Sequence, residues 1–411
     1  MAQEADIERE ARAASMIIAR QAETSDYVID RRRWYHAHPE IAYHEVATTE
    51  QICADLEALG IPYERPTATG VVATIRGTAQ SAYGAAGSAR RRIMLRADID
   101  GLPVAERTGE PFSSENDGFM HACGHDCHIA MLLGAARLLA GMTDELEGEV
   151  RLVFQPAEEG GDGSKTMISA GVLEGVDGVF GMHIWSDVPA GKVSVEAGPR
   201  MAATDWWRID VTGRSAHGAM PNQGADAVLA GAAIVESLQA IVSRNMSPFE
   251  PAVVTAGQFH GGTARNVMAG SSWMEGTVRT FHEDAHELIP GLMERMANDV
   301  AAAFGCTAKL TYENAHSTVV NEAAASERAM RATREVLGED ALVRYQGSMP
   351  GEDFSEYLKR VPGAFAFLGS GTADPNGKVW PQHSCFYDPD ESVLVRGSML
   401  AAQYAVDFLA E

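Results

Sequence analysis

Apolar and polar positions along this chain follow two rhythms. Residues 45–59 carry apolar side chains at helical spacing, and Gly60 and Pro62 stop the run. Short apolar runs then alternate with helical patterns. Residues 71–75, 93–95, 150–154 and 179–182 read as buried strands, and residues 129–139 as a helix. Strands separated by helices predict a mostly parallel sheet covered by helices. Near Gly198 the rhythm changes. Residues 207–212 alternate like a half-buried strand. A helix over 226–242, strands over 253–259 and 272–279, a helix over 285–304 and a strand over 307–312 follow. That order is β-α-β-β-α-β, the ferredoxin-like motif. Helices and one more apolar strand, residues 364–368, complete the chain.

The expected fold class is therefore α/β: a larger domain over residues 1–197 and 314–411, with a small α+β domain over residues 198–313 inserted into it. The segment 77–90, rich in Gly, Ala and Ser, reads as an exposed loop.

Composition narrows the functional classes. The chain has 411 residues, and 57 acidic against 33 basic side chains give a net charge of −24. So acidic a surface repels nucleic acid and anionic lipid, and neither is expected as a partner. No run approaches the ~18 apolar residues of a membrane span, and the best candidate, residues 129–142, contains Arg137. The acidic N-terminus lacks the apolar stretch of a secretory signal. Five cysteines thinly spread do not suggest a disulfide framework. A cytoplasmic protein is expected.

Side chains capable of chemistry are densest in MHACGHDCHIA, which holds His121, Cys123, His125, Asp126, Cys127 and His128. Thiol, imidazole and carboxylate together form a transition-metal ligand set. Any one of them also suits a polar helix start or, for Cys127, plain core packing. A closed structural zinc site would need a second Cys/His pair, and none follows at a suitable spacing. Further candidates sit where strands end. Residues 150–154 run into Gln155-Pro156-Ala157-Glu158-Glu159-Gly160, residues 179–182 into His183, and residues 93–95 into Arg96, Asp98 and Asp100. Adjacent carboxylates on an extended backbone point different ways, so Glu158 and Glu159 can take different jobs. In open α/β sheets ligands bind beyond the carboxyl ends of the strands, which favours one common site. His383 follows an apolar strand and a turn holding Gly369, Gly371 and Gly377. The pair Glu352-Asp353 reads more simply as a helix cap.

These motifs, in this order, resemble the metal-dependent aminoacylase and carboxypeptidase family, in the branch of hippurate hydrolases, bacterial N-acyl-amino-acid amidohydrolases and plant auxin-conjugate hydrolases. The marks are RRRWYHAHPEIAYHE, RADIDGLP, HACGHDCHIA, FQPAEEG, GMHIW, GRSAHGAMP, ARNVM, GTVRT, GEDFSEY, FLGSG and QHSCFYDPDES, which span nearly the whole chain. The resemblance implies a three-layer α/β/α catalytic domain with a lid and dimerisation domain inserted into it. It implies two divalent metal ions, zinc or manganese first, cobalt or nickel next. Cys123, His125, Glu159, His183 and His383 match their ligands, and Cys123 stands where other branches bridge the ions with an aspartate. Glu158 matches the general base. Asp98 matches an acidic position supporting the site, two residues after Arg96, where other branches keep a metal-binding histidine. His217 matches a lid histidine that reaches the active site of a dimer partner. Asn266 and Arg279 match lid positions that hold a substrate carboxylate, although the usual Asn-Val-Ile-Pro is here Asn266-Val267-Met268-Ala269.

The implied activity is hydrolysis of an N-acyl amino acid or dipeptide by a homodimer joined through the lid. Three rivals remain at this level. They are a dipeptidase or aminopeptidase, for which no group that recognises a free α-amine stands out; a non-catalytic metal-binding protein; and a cysteine hydrolase built on Cys123 or Cys127.

Overall fold

A computed structural model describes residues 2–79, 90–371, 373 and 376–411; most of the small, polar segment expected as a loop, residues 80–89, lies outside them. The chain divides into two compact units, one of Met1–Gly198, Val320–Gln346 and Glu356–Glu411, the other of Pro199–Val319 and Gly347–Ser355. Each has its own apolar core.

In chain order the strands that matter are β1 (Tyr63–Glu64), β2 (Val71–Arg76), β3 (Arg92–Asp98), β4 (Glu149–Gln155), β5 (Gly178–Pro189) and β6 (Val193–Ser194). In the second unit they are β7 (Ala203–Thr212), β8 (Ala252–Gly261), β9 (Ser271–Thr280) and β10 (Thr307–His316), and β11 (Gly363–Gly371) returns to the first. The first unit's sheet has the order β1-β2-β4-β3-β5-β11-β6. Its centre is parallel, through β4–β3, β3–β5 and β5–β11. Its edges, β1–β2, β2–β4 and β11–β6, are antiparallel. The sheet is thus mixed where the sequence pattern predicted mostly parallel pairing. The short strands β1 and β6 return without a crossover helix, and apolar periodicity does not report the direction of such strands. Nearly every residue of β3 and β11 is buried, so both faces of the central strands are covered.

The second unit contains β7, a helix Ala227–Ala240, β8, β9, a helix Glu283–Ala303 and β10, with sheet order β8-β9-β7-β10 and every pairing antiparallel. That is the ferredoxin-like arrangement the pattern predicts.

Two helical stretches correct the expectation that no segment reaches membrane-spanning length. Ala227–Asn245 and Glu391–Ala410, of 19 and 20 residues with mean hydropathy 1.4 and 1.2, are long and apolar enough to cross a bilayer. Charged residues inside them, Glu236 and Arg244 in one and Arg396 and Asp407 in the other, break the apolar runs and hide their length. Within the fold, Glu391–Ala410 is 94% buried as a core helix. The helix Ala227–Ala240 lays Ala227, Ala230, Ile234 and Leu238 into the second unit's core.

The helix Leu394–Ala410 carries a buried carboxylate, Asp407. It accepts a hydrogen bond from Gln403 Nε2 at 2.7 Å and lies 3.4 Å from Arg331 Nε. Burial, then the nearby Glu335 carboxylate, push its pKa up to about 8 against the pull of Arg331, with Glu10 adding to the rise. In the unfolded chain this group ionises near pH ~4. Folding therefore takes up a proton between those values, and the contribution to stability is lost as pH rises through about 8. Asp407→Asn should stabilise the protein by an amount that grows between about pH 4 and about pH 8 and then levels off, read from urea denaturation midpoints. A gain that does not change with pH contradicts this account.

Candidate metal centre

The chain leaves β3 for β4 on one side and then crosses to β5 on the other, so β3 is the switch point of the sheet. Parallel pairing of β3 with β5 ends at Arg96–Gly181, and its pairing with β4 runs on to Asp98–Gln155. The strands part there, and the chemistry gathers at that end. His183 lies within β5 rather than beyond it, because the strand continues to Pro189.

The helix His125–Ala140 starts at this opening. Its N-cap is Gly124, with φ +94°, a backbone region that suits glycine; a Cβ there would lie 2.6 Å from Ile184 Cγ2. The sharp turn sets Cys123 and His125 on either side of it. Three non-glycine residues among those described also take positive φ: Tyr43 (φ +63°), and, at this site, Ala157 (φ +56°), just before Glu158, and His383 (φ +65°). Such strain is characteristic of functional sites.

The ligand atoms of Cys123, His125 and His183 lie within 4.8 Å of one another, and so do those of Cys123, Glu159 and His383. The two triads share Cys123 alone. His125, Glu158 and Glu159 form a third such group. Cys123 Sγ is 3.4 Å from His183 Nε2, and His383 Nε2 is 3.1 Å from Glu159 Oε1. Hydrogen bonds fix the tautomers. His183 Nδ1 donates to the Ile184 carbonyl at 2.6 Å, and His125 Nδ1 donates to Asp100 Oδ1 at 3.2 Å. Both rings therefore present Nε2, and that of His125 is buried with no hydrogen-bond partner.

Two other members of the HACGHDCH cluster, His128 and Asp126, serve as braces. His128 Nδ1 donates to Asp98 Oδ1 at 2.5 Å and its Nε2 accepts the Ile184 N–H at 2.9 Å, so both nitrogens are occupied. Asp98 also accepts from Arg96 Nη1 at 2.7 Å and lies 3.6 Å from His125 Nε2. Arg96, in place of a histidine, is a structural cation here, with Nε on Gln155 Oε1 at 2.9 Å. Asp126 accepts from buried Arg32 at 2.9 Å and from His36 at 2.8 Å. Cys127 is buried, and burial pushes its thiol well up. That environment does not suit a nucleophile.

The electrostatics favour a cation. Burial, then Glu159, Glu158 and Asp98, push the Cys123 thiol well above its ordinary range. Burial pulls His125 down, yet Asp98 and Asp100 lift it to about 10. Burial and the neighbouring His128 hold His183 well below the usual range, so it is a neutral donor. A soft thiol, imidazoles and carboxylates match zinc, manganese, cobalt or nickel, and such an ion would hold the thiol deprotonated and take the place of the His125 proton.

His217, Asn266 and Arg279 belong to the second unit. His217 is exposed on the two-residue strand Ala216–His217, paired with Val267, and the Gly218 N–H bonds the Asn266 carbonyl at 2.9 Å. The structure thus brings His217 and Asn266 together. Arg279 stands apart on β9, half-buried, with Nη1 on Thr277 Oγ1 and its guanidinium 5.6 Å from the centre of the Trp206 ring. Trp207 belongs to that unit's core, while Trp206 and Phe259 are exposed. Glu352 accepts the Phe354 N–H at 2.9 Å, as a local cap does.

The model of Peptidase family M20/M25/M40 matches residues 94–407. The chain belongs to this family. It is a hydrolase of amide bonds. Thermostable carboxypeptidase 1 of Saccharolobus solfataricus is 36% identical over 391 residues, covering 94% of this chain and 96% of that protein. The N-acetylcysteine deacetylase of Bacillus subtilis is 39% identical over 388 residues, covering 92% and 96%. A Bacillus subtilis protein described as a dinuclear metal binding peptidase from M20 family has the same fold, with a TM-score of 0.82 and 36% identity over 94% of this chain and 99% of that one.

Proposed function

We propose that this M20 hydrolase releases free amino acids from N-acyl amino acids, using two divalent cations held by Cys123, His125, Glu159, His183 and His383. The observation that carries this reading is the pair of ligand triads that share only Cys123, with Glu158 grouped against His125 and Glu159. Zinc or manganese is the first choice for the ions, cobalt or nickel the next. When bound, the two ions would supply Lewis acidity and lower the pKa of bound water toward ~7.

Glu158 takes the proton of the attacking water and returns it to the leaving nitrogen, acting first as general base and then as general acid. Asp98 acts from behind, keeping His128 and Arg96 in place. Arg279 pairs with the carboxylate of the amino-acid half, a partner that suits its planar fork, and Asn266 assists. His217 donates to the developing oxyanion.

A carboxypeptidase reading shares this chemistry, since there too the released nitrogen belongs to an amino acid with a free carboxylate; the carboxypeptidase relative favours keeping it. The acyl group separates the two. Turnover of N-acetyl, N-benzoyl and indole-acyl amino acids against dipeptides, with metal-reconstituted protein, decides between them.

The second unit serves as lid and dimerisation domain; by the sequence pattern it takes up residues 198–313, between catalytic segments 1–197 and 314–411, while the compact unit itself runs over Pro199–Val319 and Gly347–Ser355. Support comes from its long edge strand β8, whose backbone edge is open to pairing, and from exposed Leu229, Phe249, Val253 and Phe259. A second copy satisfies both. The protein works in the cytoplasm, where its five free cysteines stay reduced.

Glu158→Gln should lower kcat by about 10²–10⁴-fold while two metal ions still bind, because it removes a base and not a ligand. Retained turnover in that variant overturns the assignment. If His217 acts across a dimer, inactive His217→Ala and inactive Glu158→Ala subunits should regain activity when mixed. No recovery in proven mixed dimers contradicts action in trans.

A further inference from the structure

Asp100 lies two residues past the end of β3 and is buried. Its backbone is pinned on both sides, by the Ile99 N–H on the Gln155 carbonyl at 3.0 Å and the Gly101 N–H on the Glu40 carbonyl at 2.7 Å. Its carboxylate accepts three hydrogen bonds from distant parts of the chain. Oδ1 accepts from His125 Nδ1 at 3.2 Å and from the Glu158 N–H at 3.1 Å. Oδ2 accepts from the Glu159 N–H at 3.0 Å.

These bonds do two different things. The bond to His125 fixes the tautomer that leaves Nε2 as a lone-pair donor. The two backbone bonds tie down the turn at which Ala157 is left-handed and from which Glu158 and Glu159 diverge. Asp98, on the same side of the extended backbone two residues earlier, bonds instead to Arg96 and His128. The two aspartates divide the work, and only Asp100 touches both the helix start and the Glu158-Glu159 turn.

We infer that Asp100 is a positioning residue that locks His125 and the Glu158-Glu159 turn into one frame. This rests on the reading of Glu158 as base and of His125 and Glu159 as ligands. Asparagine in its place keeps one acceptor oxygen and turns an NH₂ toward at least one of the three donors. Alanine removes all the acceptors. Neither change touches an atom that binds substrate.

The test uses the full-length chain. Zinc is titrated into the metal-free protein by calorimetry, and kcat and KM on an N-acetyl amino acid are measured after reconstitution. Asp100→Asn should weaken zinc binding by about 10–100-fold, as loss of a partner to a ligand histidine does. It should lower kcat and leave KM nearly unchanged, because the frame and not substrate binding is lost. A folded Asp100→Asn that binds zinc and turns over like the parent overturns the inference, and so does a raised KM with kcat preserved. If Asp100→Asn does not fold, Asp100→Glu keeps the charge and shifts the carboxylate by one methylene; the same losses are expected, and parental zinc affinity with parental kcat overturns it. If the parent binds zinc but hydrolyses no N-acyl amino acid, the proposed function falls, and the zinc affinities alone judge Asp100.

Discussion

Everything at this centre follows from the cost of gathering anionic and polar donors in a buried place. Glu158, Glu159 and Asp100 surround His125 and Cys123, and the Arg96 guanidinium is already committed to Asp98 and Gln155. Burial penalises the ionised form of each group; the neighbouring carboxylates add to that penalty at Cys123 and Asp100, while at His125 they favour the charged ring. The protein answers part of the charge with hydrogen bonds. The rest is poised for cations, and the directions of the shifts at Cys123 and His125 express that unmet demand.

The fold meets this cost with rigidity. β3, β4 and β5 reach the site buried, and the crevice opens only where β5 leaves β3 after Gly181. Left-handed Gly124, Ala157 and His383 each lie at or beside a proposed ligand or the proposed base. Conformations of this kind cost free energy and persist only where the surroundings over-determine them. Here the surroundings are the paired strands below and the Asp100, Asp98 and His128 hydrogen bonds behind.

Much of this was legible in the amino-acid order. Apolar runs and helical spacing placed most of the strands and helices, since burial on both faces gives continuous apolar strands and burial on one gives alternation. The ferredoxin-like order of the second unit followed from the same periodicities. The outermost strands of the first sheet, β1 and β6, did not, because two-residue strands carry no period, and the apolar run of β2 placed that strand without giving its direction. Nor did the continuation of β5 past His183, where polar residues still lie in a buried strand. In HACGHDCH the composition announced a metal-ligand set, yet it did not separate ligands from braces. His128 differs from His125 only in what lies opposite it, Asp98 and the Ile184 N–H, and those contacts come from β3 and β5. Asp100 was visible as a strand-end carboxylate, but its bonds to the Glu158-Glu159 turn depend on the pairing of β3 with β4. The i, i+3 spacing of His125 and His128 and the i, i+2 spacing of the two aspartates are the local signals of a shared face.

In the proposed function Cys123 joins two ligand sets into one dinuclear site. X-ray absorption at the zinc edge of reconstituted protein reads that arrangement. The account gives one sulfur neighbour per zinc at about 2.3 Å and a zinc–zinc vector of about 3.5–4 Å. A shell of nitrogen and oxygen alone, or sulfur without a second metal, contradicts it.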